Sequence, residues 1–227
     1  FKKIIKKNDI GAVIMEVSRL DKTKKNFLKK IREITKRKNI CLIFDECTSG
    51  FRECFGGLHK KFKINPDIVV YGKSIGNGYP ICAIVGSKKF MKSLENSFVS
   101  STFWTDRIGA VAAIETLKEM KRVKSWQKIT KIGKQIKYIW KKTADQHKLN
   151  ITIKGIDALP LVRFNYDQEP EMKTFLTQEF LKKKFLTSTY VYPCIFFDNK
   201  ILKRYSKILN NIFKKMSNHI NKGKKIS

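Results

Sequence analysis

The chain has 227 residues, of which 42% are hydrophobic and 30% are charged, so it can bury a core as one large domain or as one large and one small unit. Every apolar run is shorter than the roughly 18 residues that a membrane-spanning helix needs, so we expect no membrane segment. No apolar run follows the basic residues at the start, so we expect no signal peptide.

The formal net charge of +30 makes a nucleic-acid-binding protein one function to consider. Only eight of the 49 basic residues are Arg, and the lysines are spread along the whole chain. Recognition of phosphates and base edges favours clustered Arg side chains. We therefore interpret the charge as a Lys-rich surface and do not expect a nucleic-acid partner. Steeply salt-dependent DNA binding would support the alternative.

The cysteines and histidines indicate the cellular compartment of the protein and whether it has a metal site. The five cysteines are odd in number and form no CxxC pair, which indicates reduced, cytoplasmic thiols and not a disulfide framework. The three histidines lie far apart in the sequence, so we expect no metal site.

The first part of the chain alternates apolar runs with a helical pattern. Residues 12–15 predict a buried strand that ends at Glu16, and residues 21–38 predict an amphipathic helix. Residues 40–44 predict a second buried strand, which ends at Asp45 and the glutamate after it. A strand, a helix and a strand in this order indicate a right-handed crossover and a parallel sheet.

Further elements of the same kind follow. They are, in order, a turn at 65–67, a strand at 68–71 that runs into the glycine-rich segment 72–78, a strand at 81–85, a short helix at 87–94, a polar aromatic loop at 100–105 and a long helix from about 106.

The pattern changes after about residue 123. A helix is predicted over 124–147, strands at 151–153 and 159–164, and helices near 170–183 and 198–219; the Lys-rich tail from Lys222 is expected to fray. We therefore predict an α/β fold with a mostly parallel sheet. Residues 1–122 would form part of a large domain, and residues 123–227 a connecting helix and a smaller α+β domain.

Three predicted strands deliver polar residues to one sheet edge, where ligands bind in open parallel sheets. These residues are Glu16, Asp45 and Lys73. Pyridoxal 5'-phosphate (PLP) chemistry needs such a pair, because a lysine forms a Schiff base with the cofactor aldehyde and an acid keeps the pyridine nitrogen protonated. On spacing alone, an ordinary lysine in a glycine-rich turn explains the pattern equally well. A P-loop does not, because residue 67 is Asp where that motif requires Gly.

Four segments carry a resemblance to a known family. Residues 42–52 (LIFDECTSGFR) are similar to the Asp-Glu-Val-x-Ser/Thr-Gly-Phe-Arg stretch of class III aminotransferases. Residues 66–80 (PDIVVYGKSIGNGYP) resemble their segment around the catalytic lysine, and residues 12–16 and 101–103 match a strand ending in Glu and a phosphate-binding loop. The order and spacing make the chain resemble this family firmly over about 10–122 and loosely elsewhere. Its character is closest to glutamate-1-semialdehyde aminomutase-like proteins.

The resemblance implies a PLP-dependent transferase of fold type I that moves amino groups between small amino and keto substrates, or rearranges one within a substrate. It implies that Lys73 forms the Schiff base and later moves the proton, and that Asp45 holds the pyridine nitrogen. Cys47 occupies the position of a Val that packs on the ring, and Thr48 that of a Gln near the ring hydroxyl. Thr102 would bind the cofactor phosphate of the neighbouring subunit of a homodimer, and Glu16 would lie on the substrate side.

Two departures from the family pattern matter. Asn77 replaces the middle of three glycines, which is a mild change because Asn tolerates positive φ. Family members are longer at the N-terminus, where they supply a phosphate loop and an aromatic residue that stacks on the ring. We therefore expect the 227 residues alone to bind PLP poorly. A non-catalytic truncated fragment or remnant of such an enzyme is the alternative.

Overall fold

The computed structural model describes residues 1–21 and 23–223. Its helices are α1 (Lys2–Lys7), α2 (Lys25–Arg37), α3 (Leu58–Phe62), α4 (Lys88–Met91), α5 (Arg107–Val123), α6 (Ser125–Gln146), α7 (Glu169–Leu181) and α8 (Asn199–Asn221), with short 3₁₀ helices at Lys73–Ile75 and Lys92–Asn96. Its strands are β1 (Ala12–Glu16), β2 (Cys41–Glu46), β3 (Ile68–Tyr71), β4 (Ala83–Gly86), β5 (Ile151–Lys154) and β6 (Leu161–Phe164). The last four residues of the tail lie outside the described residues.

The described residues divide into two compact units. Residues 1–19 and 23–126 form the first unit, and residues 20–21 and 127–223 form the second. No helix in the described part of the chain combines the length and the apolar character that crossing a bilayer would require.

The first unit is built on a four-stranded sheet with the strand order β1-β2-β3-β4. Strands β1, β2 and β3 are parallel, and β4 pairs antiparallel with β3. The predicted α/β class with a mostly parallel sheet is confirmed. Strand β4 begins at Ala83 and not at Ile81, and α2 begins at Lys25 and not at residue 21. The connection from β3 to β4 contains only a short 3₁₀ helix, so β4 returns beside β3 in the antiparallel sense.

Strand β2 lies inside the sheet, between β1 and β3. Leu42 and Phe44 share one face of the strand and are fully buried, whereas Ile43 and Asp45, on the opposite face, are half-buried. Helix α2 contributes the spaced side chains Leu28 and Ile31 to the interior and turns its lysines to solvent. This packing fixes β2, and with it the side chains at its carboxyl end.

The second unit combines the antiparallel pair β5 and β6 with helices α6, α7 and α8. Its core contains large side chains that are almost completely buried: Ile136, Trp140, Phe164, Met172, Leu176, Phe180, Leu209 and Phe213. Helix α8 starts where Asp198 accepts a hydrogen bond from the backbone N–H of Ile201. The smaller α+β part predicted from the sequence is confirmed.

Candidate active site

The parallel register brings the predicted acids to one edge of the sheet. Glu16 pairs with Asp45, and Asp45 pairs with Val70 across β1, β2 and β3. Lys73 follows two residues after β3 ends at Tyr71. The carboxyl ends of the three parallel strands therefore meet where ligands bind in sheets of this type.

The amine of Lys73 lies against the loop that follows β2. Lys73 Nζ donates a hydrogen bond to Thr48 Oγ1 at 2.9 Å. Thr48 is buried, and its carbonyl oxygen accepts a hydrogen bond from Arg52 Nε at 2.7 Å, which helps to hold it in place. The structure thus joins two residues that are 25 positions apart and that the sequence assigned to one site.

The backbone of Lys73 is unusual, because its φ is +42°. A non-glycine residue in the left-handed region is uncommon, and such residues concentrate at functional sites. Asn77 and Gly78 also have positive φ, at +47° and +107°. The expectation that Asn77 tolerates this conformation in place of glycine is confirmed.

Asp45 and Cys47 form a tight turn at the end of β2. Asp45 is half-buried, and its Oδ1 accepts a hydrogen bond from the backbone N–H of Cys47 at 2.9 Å. Burial raises the pKa of the Cys47 thiol, and the nearby carboxylate of Asp45 raises it further, while Lys73 acts in the opposite direction. Cys47 therefore remains a neutral thiol at neutral pH, which suits the proposed packing against an aromatic ring.

The sequence reasoning missed a buried network beside Asp45. Glu46 is fully buried, and its oxygens accept hydrogen bonds from Ser49 Oγ and from the backbone N–H groups of Leu58 and His59, at 2.8, 2.6 and 2.9 Å. The ring nitrogen His59 Nδ1 lies 2.7 Å from Glu46 Oε1. This network ties the end of β2 to the start of α3. Its only sequence sign is a second acid at the end of an apolar run.

Among the described residues, Lys73 is hydrogen-bonded to Thr48 and Cys47 to Asp45, and no side-chain hydrogen bond joins Glu16 or Thr102 to any of these four. Glu16 pairs with Arg19 at 3.4 Å, close to the surface. Thr102 lies in an exposed loop whose aromatic side chains Phe98, Phe103 and Trp104 are also exposed.

The side chains at this edge fit PLP chemically. They offer a carboxylate near the end of β2, a thiol and a hydroxyl in the loop that follows β2, and an amine after β3. The sequence model of the aminotransferase class-III family matches residues 1–212. The chain belongs to this family. The resemblance inferred from the four segments is thereby confirmed.

Other class-III sequences share substantial identity with the chain. It is 32% identical over 156 residues to a 3-aminobutyryl-CoA aminotransferase from Cloacimonas acidaminovorans, covering 68% of this chain and 38% of the relative. It is 40% identical over 131 residues to a glutamate-1-semialdehyde 2,1-aminomutase from Nitrosopumilus maritimus, covering 55% of this chain and 31% of the relative. The aminomutase of Methanocaldococcus jannaschii is 29% identical over 209 residues, covering 84% of this chain and 48% of the relative.

Solved transaminase structures share the fold. The FumI protein of Sphingopyxis sp. MTA144, in its PLP internal aldimine form, matches with a TM-score of 0.85 at 22% identity, covering 94% of this chain and 53% of that one. An acetylornithine aminotransferase from Elizabethkingia anophelis matches with a TM-score of 0.78 at 20% identity, covering 90% of this chain and 54% of that one. The chain thus spans less than half the length of these curated relatives and about half of these solved chains.

Proposed function

We propose that the protein acts in PLP-dependent amino-group transfer, as an aminotransferase or as an aminomutase of the glutamate-1-semialdehyde type. The observation that carries the proposal is the hydrogen bond of Lys73 Nζ to Thr48 Oγ1 at the sheet edge where Asp45 is the next-to-last residue of β2. Membership of the class-III family supports the same reaction class.

PLP, when bound, supplies an aldehyde and a ring that accepts electrons from a substrate carbon. Lys73 is the residue we assign to the covalent bond with that aldehyde. With PLP and an amino substrate bound, the free amine of Lys73 would act as the base that moves the substrate proton. Thr48 holds this amine in place before the bond forms, where many family members have a longer Gln.

The other residues hold and orient the cofactor in this proposal. The carboxylate of Asp45 would keep a proton on the pyridine nitrogen, and the hydrogen bond that it accepts from the backbone N–H of Cys47 fixes the orientation of the carboxylate. Cys47 offers a small neutral surface to one face of the ring. Glu16, at the end of β1, faces the substrate side.

We further propose a homodimer in which Thr102 binds the cofactor phosphate of the neighbouring subunit. The support is a group of exposed apolar side chains in two consecutive segments: Phe98, Val99, Phe103 and Trp104 in the loop, and Ile108, Val111 and Ile114 in α5. Apolar side chains exposed in such numbers are typical of protein–protein contacts. The free thiols of all five cysteines support the cytoplasmic location expected from the sequence.

Borohydride trapping tests the assignment of Lys73 without requiring turnover. The protein is incubated with a series of PLP concentrations and reduced with borohydride, which makes a bond between a lysine amine and PLP permanent, and the labelled peptides are mapped by mass spectrometry. We expect Lys73 to be labelled at lower PLP concentrations than the other exposed lysines. Asp45→Asn should weaken labelling of Lys73 by about tenfold, because it removes one charge-assisted contact.

Two variants complete this experiment. Lys73→Ala should remove the preferential label, and Lys88→Ala, which lacks an exposed lysine of the same unit, should retain it. Labelling of Lys73 no stronger than that of Lys88 would contradict the assignment and favour the non-catalytic alternative. A requirement for an external amino acceptor, tested on active protein, separates the aminotransferase from the aminomutase.

A further inference from the structure

Two cysteine side chains lie close to Gly72, the residue that precedes Lys73. A methyl group placed on Gly72 would lie 3.2 Å from Cys47 Sγ and 3.2 Å from Cys82 Sγ. Both distances start from one point, so the two sulfurs are separated by no more than twice that length. The electrostatic influence of Cys82 on the Cys47 thiol also places the two groups together.

The fold creates this proximity from distant parts of the chain. Cys47 follows the end of β2, and Cys82 immediately precedes β4, which pairs antiparallel with β3. The return of β4 along β3 carries Cys82 back beside Gly72, at the start of the loop that holds Lys73. Gly72 lacks a side chain, so residue 72 places no methyl group in contact with the two sulfurs.

The space and the exposure suit a disulfide. A disulfide needs the sulfurs at about 2.05 Å and the β-carbons at about 3.5–4.5 Å, and rotation about a cysteine χ1 moves its sulfur by a distance comparable with the gap to be closed. Cys82 is exposed and Cys47 is half-buried. An oxidant in solution therefore reaches Cys82 first, and Cys47 is placed to attack it from the inner side.

We propose that Cys47 and Cys82 form a redox-sensitive pair, which hydroperoxides convert to a disulfide across Gly72. Hydrogen peroxide oxidises the Cys82 thiol to a sulfenic acid and releases one water. The Cys47 thiol, which is neutral before the reaction, gives up its proton as its sulfur attacks the Cys82 sulfur and displaces hydroxide, and the hydroxide takes up this proton and leaves as a second water. Two thiols lose two electrons in total, and the peroxide gains them.

The disulfide acts on the site through Cys47 and the lysine loop. It draws Cys47 Sγ towards Cys82 and away from its position beside Asp45, and it ties the loop after β2 to the start of β4. This effect on the cofactor rests on the proposed function, whereas the cross-link itself does not. Reduction by a dithiol restores both free cysteines and the original loop.

Peroxide treatment followed by thiol mapping tests the cross-link. The reduced chain is treated with hydrogen peroxide, its remaining thiols are alkylated, and its peptides are identified by mass spectrometry. We expect a peptide pair joined through Cys47 and Cys82, with both thiols lost together and recovered by dithiothreitol. Independent oxidation of the two cysteines, or cross-links that instead involve Cys41, Cys54 or Cys194, would overturn the proposal.

Three variants sharpen the result. Cys82→Ser should leave Cys47 available for alkylation after peroxide, and Cys54→Ser, which removes a half-buried thiol elsewhere in the unit, should cross-link as the parent does. Gly72→Ala should slow the cross-link with both thiols still present, because its methyl group contacts both sulfurs. Alanine accepts this backbone, whose φ and ψ are −159° and −156°. A cross-link formed at the parent rate in Gly72→Ala would refute the geometry.

The effect on the site has a separate readout. Borohydride trapping of PLP at Lys73 should fall in proportion to the fraction of chain that carries the cross-link, and Cys82→Ser should trap equally before and after peroxide. Full trapping in cross-linked protein would refute the regulatory role. If Lys73 traps no PLP in the reduced parent, the proposed function fails, while the peptide map still decides whether the pair forms.

Discussion

Replacing Glu46 by Gln tests the buried network next to the candidate site. The carboxylate is fully buried, and each of its two oxygens accepts a hydrogen bond from a backbone N–H, Oε1 from His59 and Oε2 from Leu58. A Gln side chain has one oxygen and one NH₂ group. In either orientation its NH₂ therefore faces a backbone donor, and that N–H loses its partner.

The expected cost follows from these contacts. A hydrogen bond to a charged acceptor contributes about 1.5–3 kcal/mol, and a buried donor left without a partner costs about 1–3 kcal/mol. The contact of Glu46 with His59 Nδ1, at 2.7 Å, is weakened as well. We expect Glu46→Gln to lower the free energy of opening of the first unit by about 3–4 kcal/mol.

Hydrogen exchange measured by mass spectrometry reports this opening directly, because it follows β2 and α3 as separate peptides. Glu33→Gln is the matched control: Glu33 is exposed on α2 and lies 3.9 Å from Lys29, so its loss should cost no more than about 0.5 kcal/mol. Protection of β2 in Glu46→Gln within about 0.5 kcal/mol of the parent would refute the network argument. The same variant should also weaken PLP trapping at Lys73, because Asp45 and Thr48 flank residue 46.

Two further substitutions test packing and pH dependence. Burial alone would raise the pKa of Asp67, but hydrogen bonds from Arg32, at 2.6 and 3.0 Å, contribute to a net lowering from 3.8. The stabilisation that the Asp67 carboxylate provides is therefore present above pH 3.8 and is lost as the pH falls through the lowered pKa. Asp67→Asn should lower the free energy of unfolding in urea by about 1–3 kcal/mol at pH 7 and by less near pH 3. An equal cost at both pH values would contradict this. Gly133→Ala should destabilise by about 2 kcal/mol in thermal unfolding despite its position in α6, because its methyl group would lie 1.7 Å from the carbonyl oxygen of Asp157. Gly11→Ala, with no atom within 4 Å of the new methyl group, is the control, and equal effects of the two would refute the overlap.

The sequence predicted the sheet edge well, for a physical reason. Parallel strands end at a common edge, so apolar runs that stop at Asp45 and shortly before Lys73 place those residues together once the strands are recognised. The start of α5 was equally predictable from the sequence, because Asp106 is a favourable N-cap residue; in the structure it accepts a hydrogen bond from the N–H of Ile108. In both cases a local pattern determines the position.

Contacts that depend on loop geometry were not predictable in this way. Glu46 and His59 are 13 positions apart, and only the path of the loop between β2 and α3 brings them together. The approach of Cys82 to Cys47 requires knowledge that β4 is antiparallel and begins one residue after Cys82. Neither hydrophobic periodicity nor residue spacing carries that information, and the sequence analysis placed Cys82 inside a strand.

The left-handed backbone of Lys73 links the stability of the site to its chemistry. A non-glycine residue at φ +42° carries a strain of about 1–2 kcal/mol, which the single hydrogen bond to Thr48, worth about 1 kcal/mol, only partly offsets. Lys73→Ala keeps the strain and loses the hydrogen bond, whereas Lys73→Gly loses both.

We therefore expect Lys73→Gly to be more stable than Lys73→Ala by about 1 kcal/mol in urea unfolding, the reverse of the usual order for a helical position. Both variants should lack the preferential PLP label. If the alanine variant is the more stable, residue 73 is not strained, and the backbone then gives no reason to regard this lysine as held in place for a ligand.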